Sequence, residues 1–427
     1  MLLGRIRASL RGSLPALVAG LTLATTPPAP AGAQRAPVWA ADAQQILERF
    51  HAGDHVVVIQ GVEGFYRRYP LDDQSWPLLL LRAESRHRLG QAERALREFR
   101  EAVPFVERLH NVARRGYAWV YFRIGALHGR LAQWPEAIAM VERGLQLEPQ
   151  NAVEQIRLGE LLLRSGDRAR ALRHFQDVRG AVPPRGEPSA VLAVKLERLG
   201  VASPRAPVTD VAEGAFYPGV RVKLLPVGAV DERVVLPDLC VVLEARWLVG
   251  CEVLPPIRIP DEVAFDRARN QLSGDRIIAE LVRRYPTAGR GPDLLVAVTD
   301  RDIYGRNTNY VFSWQSPTDR VGVVTTYRFL AELEDFYEPQ IVATRRLAVQ
   351  LLSTTSALFG MTRATRADCP TAYPNDVQEF LLKGSRLCES EIQQRDAMLR
   401  RMGGTAVRLG PERAQAIARV EARYRLD

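Results

Sequence analysis

An internal offset of 34 residues constrains this chain more than any other feature. At that spacing Ala137-Ile138 falls on Ala171-Leu172, Gly125 on Gly159, Ile124 on Leu158, Val141 on Phe175 and Pro149 on Pro183. Self-similarity at such a period belongs to stacked helix pairs, because one unit cannot bury its apolar face alone. Gly125 and Gly159 let the two helices of a pair approach closely, and a proline cannot continue a helix interior, so Pro149 and Pro183 close their units. A weaker copy runs from Trp76 to Pro104, with Arg94-Ala95-Leu96 and Phe99 in the matching places, and a poorer one covers Ala41 to Pro70. Residues 40–199 show no strand alternation and read as an all-α solenoid.

The period, the glycine at the helix crossing and the closing proline resemble the tetratricopeptide repeat. The resemblance implies a binding scaffold whose inner helices line a groove for a peptide or a partner domain. The plainer alternative is that so few repeats merely pack against a second domain. Trp119, Tyr121 and Phe122 are groove candidates, although aromatics at this spacing are more often helix-packing core. A proline-rich stretch follows, with Pro183, Pro184, Pro188, Pro204, Pro207 and Pro218. A helix over 189–199 interrupts it, placed to cap the solenoid, and 200–219 reads as a linker.

From Arg221 the pattern switches to alternating strands and helices, which argues for an α/β layered sheet. Val222–Val227, Cys251–Leu254, Leu294–Val298, Tyr310–Phe312 and Val321–Val324 read as strands. Leu236–Trp247, Phe265–Tyr285 and Glu338–Phe359 read as helices. The runs VKLLPVG, RARNQLSGDRII, LLVAVTDRDIYGRNTNYVF and VGVVTTYRF resemble the archaemetzincins, zinc peptidases of the metzincin clan. The resemblance covers Arg221 to Cys388, within a domain set at 220–391. It implies a twisted mixed sheet, an edge strand above the cleft at Asn309, Tyr310, Val311, Phe312 and Ser313, and an active helix at Arg345–Gly360.

The clan's signature, H-E-x-x-H-x-x-G-x-x-H, sets two His one turn apart on a helix, a Glu base between them and a third His after a glycine turn. With Phe359-Gly360-Met361 fixing the register, Ser353 and Ala357 stand for the helix His pair, Thr354 for the base and Arg363 for the third His. All six histidines, His51, His55, His87, His110, His128 and His174, precede residue 175, so no register supplies an imidazole to this domain. No catalytic residue, metal or cofactor is therefore expected. Arg363 would place a cation where the family holds one, with Asp368 or Glu379 as acid partner. Ser353 and Thr354 with Asp300 or Asp302 remain the alternative of an active peptidase or hydrolase with a non-standard site, and repeat histidines such as His128 and His174 a remote source of ligands.

The family's structural zinc site of four cysteines is also degenerate. Ala364 stands at the first position, Cys369 at the second, Cys388 within a residue of the third and Glu391 at the fourth. The resemblance implies that Cys369 and Cys388 lie close, and in an oxidising compartment they would close a disulfide. Cys240–Cys251 stays open between a bond and buried free thiols.

The compartment is read from the N-terminus. Arg5, Arg7 and Arg11, an apolar run from Leu14 to Thr25 and Ala31-Gly32-Ala33 form a secretory signal over 1–33, cleaved or else retained as an anchor. Its removal leaves no stable membrane insertion and a secreted or periplasmic protein. Of the 58 basic residues only Lys195, Lys223 and Lys383 are lysine, and the arginines are interleaved with acids, which argues against a nucleic-acid surface. No glycine-rich phosphate loop or CxxC pair occurs. Residues 392–427 read as a helical tail broken at Gly403-Gly404. The expected whole is an exported scaffold that binds a protein or peptide through its repeats or through the cleft of an inactive domain.

Overall fold

The computed structural model describes residues 37–182, 186–201, 215–286, 291–306, 308, 310–330, 337–374, 380–402 and 405–426, so the expected signal segment lies outside the described residues. The chain divides into two units, Met1–Ala181 and Val182–Asp427.

The first unit is built from antiparallel helix pairs: α1 (Ala40–His51) with α2 (His55–Arg68), α3 (Pro77–Arg88) with α4 (Ala92–Arg108), α6 (Ala118–Arg130) with α7 (Trp134–Leu147), and α8 (Ala152–Arg164) with α9 (Arg168–Val178). The expected role of the glycines holds. A Cβ on Gly125 would lie 2.6 Å from Val141 Cγ2, and one on Gly159 would enter the ring of Phe175, which is the same pair one repeat later. Asn151 and Asp167 accept the Glu154 and Arg170 amides and so cap α8 and α9. Two features depart from the regular repeat. Pro104 does not end its unit but sits inside α4, and a short helix α5 (Asn111–Arg115) follows. That insertion stretches the Ala95-to-Ala137 spacing to 42 residues, which is why the earlier copy looks weak in the sequence. Tyr121 and Phe122 are buried core, and Trp119 packs edge-on against Phe99 at 6.1 Å, so none of the three is a free groove residue.

The second unit begins earlier than expected. Helix α10 (Glu187–Arg198), anticipated as a solenoid cap, is fixed to the long helix α15 (Pro339–Leu358). The Glu187 carboxylate accepts two bonds from Arg346 at 2.7 and 2.8 Å, and Lys195 pairs with Glu338 at 2.8 Å. Paired buried charges at both ends of α10 tie it to this domain, since leaving either partner alone in the interior costs several kcal/mol.

The principal sheet runs β2 (Val249–Val253), β1 (Ala215–Pro226), β5 (Leu294–Thr299), β8 (Val321–Thr325), β7 (Ser313–Ser316), with β9 (Val407–Arg408) pairing the start of β1. All contacts from β2 to β8 are parallel, and β7 joins antiparallel as the edge. Such a sheet needs cover on both faces. Helix α13 (Gly274–Arg284) covers one with Ile277, Ile278 and Leu281. Helices α11 (Leu236–Trp247) and α15 cover the other, joined where Trp247 Nε1 donates to Thr355 Oγ1 at 2.8 Å. The tail helices α16 (Glu389–Arg401) and α17 (Pro411–Tyr424) belong to this unit, α17 through a buried Arg246–Glu421 ion pair.

Two sequence expectations need correction. The helix foreseen from Phe265 exists only as α13; before it the short helix α12 (Asp261–Ala264) is followed by β3 (Phe265–Asp266) and β4 (Gln271–Ser273), a small hairpin that β6 (Ile303–Tyr304) joins in parallel to β4. Asn270 takes a positive φ of 54° there, and Ser273 caps α13 by accepting from the Arg276 amide. The Tyr310–Phe312 strand is displaced onto Ser313–Ser316. Tyr310 lies under the Arg328 guanidinium at 3.9 Å, and Phe312 stacks at 4.5 Å on Phe329, both partners coming from the short helix α14 (Tyr327–Leu330), so these rings pack tertiary structure while the polar Ser-Trp-Gln-Ser run forms the half-buried edge.

Candidate functional site

Helix α15 lies under the edge strand and carries the positions that matter. Gly322 on β8 is the point of close approach: a Cβ there would sit 2.9 Å from Thr354 Cγ2. Thr354, aligned with the family's general base, is thus a packing residue. Its hydroxyl donates to the Gln350 carbonyl at 2.9 Å, Thr355 donates to Leu351 at 2.7 Å, and Ser356 donates to Ser353 O at 2.8 Å. These hydroxyls are spent on their own helix, the local competition that threonine and serine offer to a backbone. Ser353 is buried, and Arg363 Nη1 lies 3.5 Å from its Oγ.

The family implies a zinc ion at this place, and the residues do not fit one. Tetrahedral zinc takes imidazole, thiolate or carboxylate donors. Ala357 has no donor, Thr354 turns its hydroxyl into the helix, and a guanidinium stands beside Ser353. Asp302, one of the two acids of the non-standard alternative, accepts from Arg328 at 2.6 and 2.9 Å and from Gln271 at 2.8 Å. The repeat histidines are also engaged locally: His128 contacts Gln133 Oε1 at 2.6 Å and Arg100 at 2.9 Å, and His174 contacts the Gln155 carbonyl at 2.8 Å. His87 is pushed down to about 4 by burial and by Arg123 beside it.

Arg363 is exposed and lies over the Tyr373 ring at 5.3 Å. Its expected partner Asp368 instead accepts from Arg366 at 2.6 and 3.1 Å, two residues away and better placed; Glu379 lies outside the described residues. Asn309 also lies outside them, and of the expected edge strand only Ser313 is in β7. The Phe312 carbonyl accepts from the Thr325 amide at 3.0 Å. Alternation along an antiparallel pair then turns the backbone groups of Ser313 and Gln315 to the open side. Gln350 Nε2 donates to Ser313 Oγ at 2.8 Å and ties the edge strand to α15. Gln350 went unnoticed in the sequence, although it stands three residues before Ser353 and so on the same helix face.

Both cysteine pairs are bonded, Cys369–Cys388 with Cα atoms 5.7 Å apart and Cys240–Cys251 with 5.2 Å. Asp368, Cys369 and Cys388 offer ligand atoms within 4.8 Å of one another, but the sulfurs are joined to each other. Glu391, at the family's fourth cysteine position, accepts from the Cys388 amide at 2.6 Å, from the Thr371 amide at 2.9 Å and from the Thr371 hydroxyl. From the other side the buried Lys383 ammonium donates to the carbonyls of Pro370, at 3.0 Å, and Ala372. Burial, with Arg363 adding repulsion, brings Lys383 down to about 8.

Comparison with known proteins agrees with these two architectures. A family profile described as Tetratricopeptide repeat matches residues 76–150. An archaemetzincin of Haloquadratum walsbyi is 27% identical over 135 residues, 31% of this chain and 75% of the relative. One from Methanocaldococcus jannaschii is 24% identical over 178 residues, 41% of this chain and 92% of its own. A crystal structure of archaemetzincin from Archaeoglobus fulgidus aligns with 41% of this chain and 99% of its own, at 17% identity and a TM-score of 0.33. The chain carries tetratricopeptide repeats in its first unit and, in its second, an archaemetzincin-like α/β domain with a mixed sheet.

Proposed function

We propose that this protein is an exported scaffold that binds protein or peptide partners and does not cleave them. Its repeats offer one binding surface, and the former cleft of the archaemetzincin-like domain offers another through strand addition on β7. The observation that carries this reading is the state of α15. Hydroxyls bonded into the helix, an alanine and an arginine occupy the places where peptidase chemistry needs metal ligands and a base. Main-chain capture by an edge strand needs only unpaired N–H and C=O groups and no metal. Export follows from the segment before residue 34, and both disulfides suit an oxidising compartment. No helix among the described residues is long and apolar enough to cross a membrane.

The test has two arms. Added zinc should leave the pure protein without peptide hydrolysis, and hydrolysis sensitive to a chelator would overturn the reading. In the second arm, Gln315→Pro removes an outward N–H while sparing the ladder to β8. Peptides captured from a random library should lose at least about ten-fold in affinity for this variant, since more than one main-chain bond goes with the lost register. Binding indifferent to the change would remove the strand route.

A further inference from the structure

We propose that Arg363 anchors a carboxylate of the bound peptide, at the end of a polar track that runs from the edge strand along α15. The proposal rests on the strand-capture reading above and names what the cleft selects.

The track is continuous in the structure. Ser313 of β7 accepts from Gln350, Gln350 stands one helical turn from Ser353, and the Ser353 hydroxyl lies 3.5 Å from Arg363 Nη1. Side chains three apart on a helix face are neighbours at about 5–6 Å. A strand added beside Ser313 and Gln315 would therefore pass within reach of the guanidinium.

The charge around Arg363 is unbalanced. Among the described residues it touches Ser353 and the Tyr373 ring and no carboxylate. Of the acids near it in the chain that belong to the described residues, Asp368 is committed to Arg366 and Glu391 to the amides of Thr371 and Cys388. A second cation, Lys383, lies near enough to feel Arg363, and its ammonium is turned away onto the carbonyls of Pro370 and Ala372. Glu391 lies close enough to Lys383 to offset that ammonium, so Arg363 is the cation of the two that no carboxylate touches among the described residues, and it makes a positive spot at the head of the cleft. The guanidinium is the better anchor, because it is exposed and presents a planar fork that a carboxylate meets with two parallel bonds. Tyr373, 71% exposed, carries the flat face of the fork and leaves its N–H edges free. A carboxylate has two sources in a peptide, the chain terminus and an Asp or Glu side chain.

The experiment uses the full chain and random fluorescent octapeptides. Each sequence is made with a free C-terminus, as a C-terminal amide, and as an amide carrying one interior Glu. Sequences that bind should prefer one of the two acidic forms over the plain amide by about ten-fold, the worth of a charge-assisted pair. The form preferred identifies the source. Arg363→Gln should erase the preference while keeping the residual affinity of the amide, and Arg363→Lys should retain part of it. Arg363 is exposed, and a melting curve for each variant shows whether the fold is kept. Equal binding of acid and amide, or a preference that survives Arg363→Gln, overturns the carboxylate anchor while binding lost in Gln315→Pro still supports the strand. A preference that depends on Arg363 but not on Gln315 keeps the anchor and overturns the strand. Absence of binding in every arm overturns both.

Discussion

Two stretches of the second unit stand where the archaemetzincin resemblance implies metal, and they are built in opposite ways. Between Cys369 and Glu391 every lost constraint has a substitute: a disulfide, a buried carboxylate gathering amides, and a buried ammonium gathering carbonyls. Between Ser353 and Arg363 nothing reactive replaces what is missing, and hydroxyls simply close onto the helix. The contrast separates shape from chemistry. The staple that sets the loop beside the cleft is maintained in a new form, while the helix beneath the cleft keeps its packing against β8 and turns its hydroxyls onto its own carbonyls. On the proposed reading, such a domain is suited to holding a ligand and not to cleaving it.

That contrast makes the staple the place where substitution costs most. Replacing Cys369 and Cys388 together by serine opens a loop of 19 residues, and on chain-entropy reasoning should cost about 3 kcal/mol, read as a lower denaturation midpoint. An unchanged midpoint would mean that the charged groups alone hold the loop. Glu391→Ala should come next. It strands two buried amides, at a cost of about 2 kcal/mol in the same assay, and should act without altering the disulfide.

The helix side of the comparison is sharpened by a smaller effect. Gly322→Ala places a methyl 2.9 Å from Thr354 Cγ2 and should destabilise by about 1 kcal/mol. Thr354→Ser removes that methyl and keeps a hydroxyl able to bond Gln350, so the double variant should recover most of the loss. This positive coupling is what a double-mutant cycle measures. Additive losses would show that Thr354 is not the residue against which β8 packs.

Much of this was legible before the structure, and the failures have physical causes. The helices at Leu236–Trp247 and over Pro339–Leu358 follow from apolar periodicity and length, and the buried strands at Leu294–Thr299 and Val321–Thr325 from short apolar runs between turn residues. The Phe265 helix failed because β3 and β4 are two and three residues long, too short for any period to declare itself. The edge strand was misplaced because aromatic β-propensity at Tyr310 and Phe312 is spent on stacking, while the true strand is polar. That serine, threonine, alanine and arginine stand at 353, 354, 357 and 363, and not histidine or glutamate, is plain from residue identity alone. Where their hydroxyls turn, and that Gln350 joins the helix to the edge, depends on rotamers and on contacts distant in sequence.

The finest test of the positive spot is electrical. Lys383 is held down to about 8 from 10.5, first by burial and then by Arg363. Arg363→Gln should raise it, though not back to 10.5, because burial is the larger cause and stays. With only three lysines in the chain, a ¹³Cε titration by NMR resolves the group directly. The same shift has a consequence for stability. Between about 8 and 10.5 the unfolded chain holds a proton on this lysine that the folded chain has released, so stability from this group rises with pH across that window. Below it, both states are charged and the fold bears the full penalty; above it, both are neutral and the penalty is gone. Arg363→Gln lessens the penalty, so the variant should be slightly more stable than the parent at pH 7, by an amount that shrinks as pH rises through the window. A titration unmoved by the substitution would mean that Arg363 and Lys383 do not share a field, and the unbalanced charge at the head of the cleft would be lost with it.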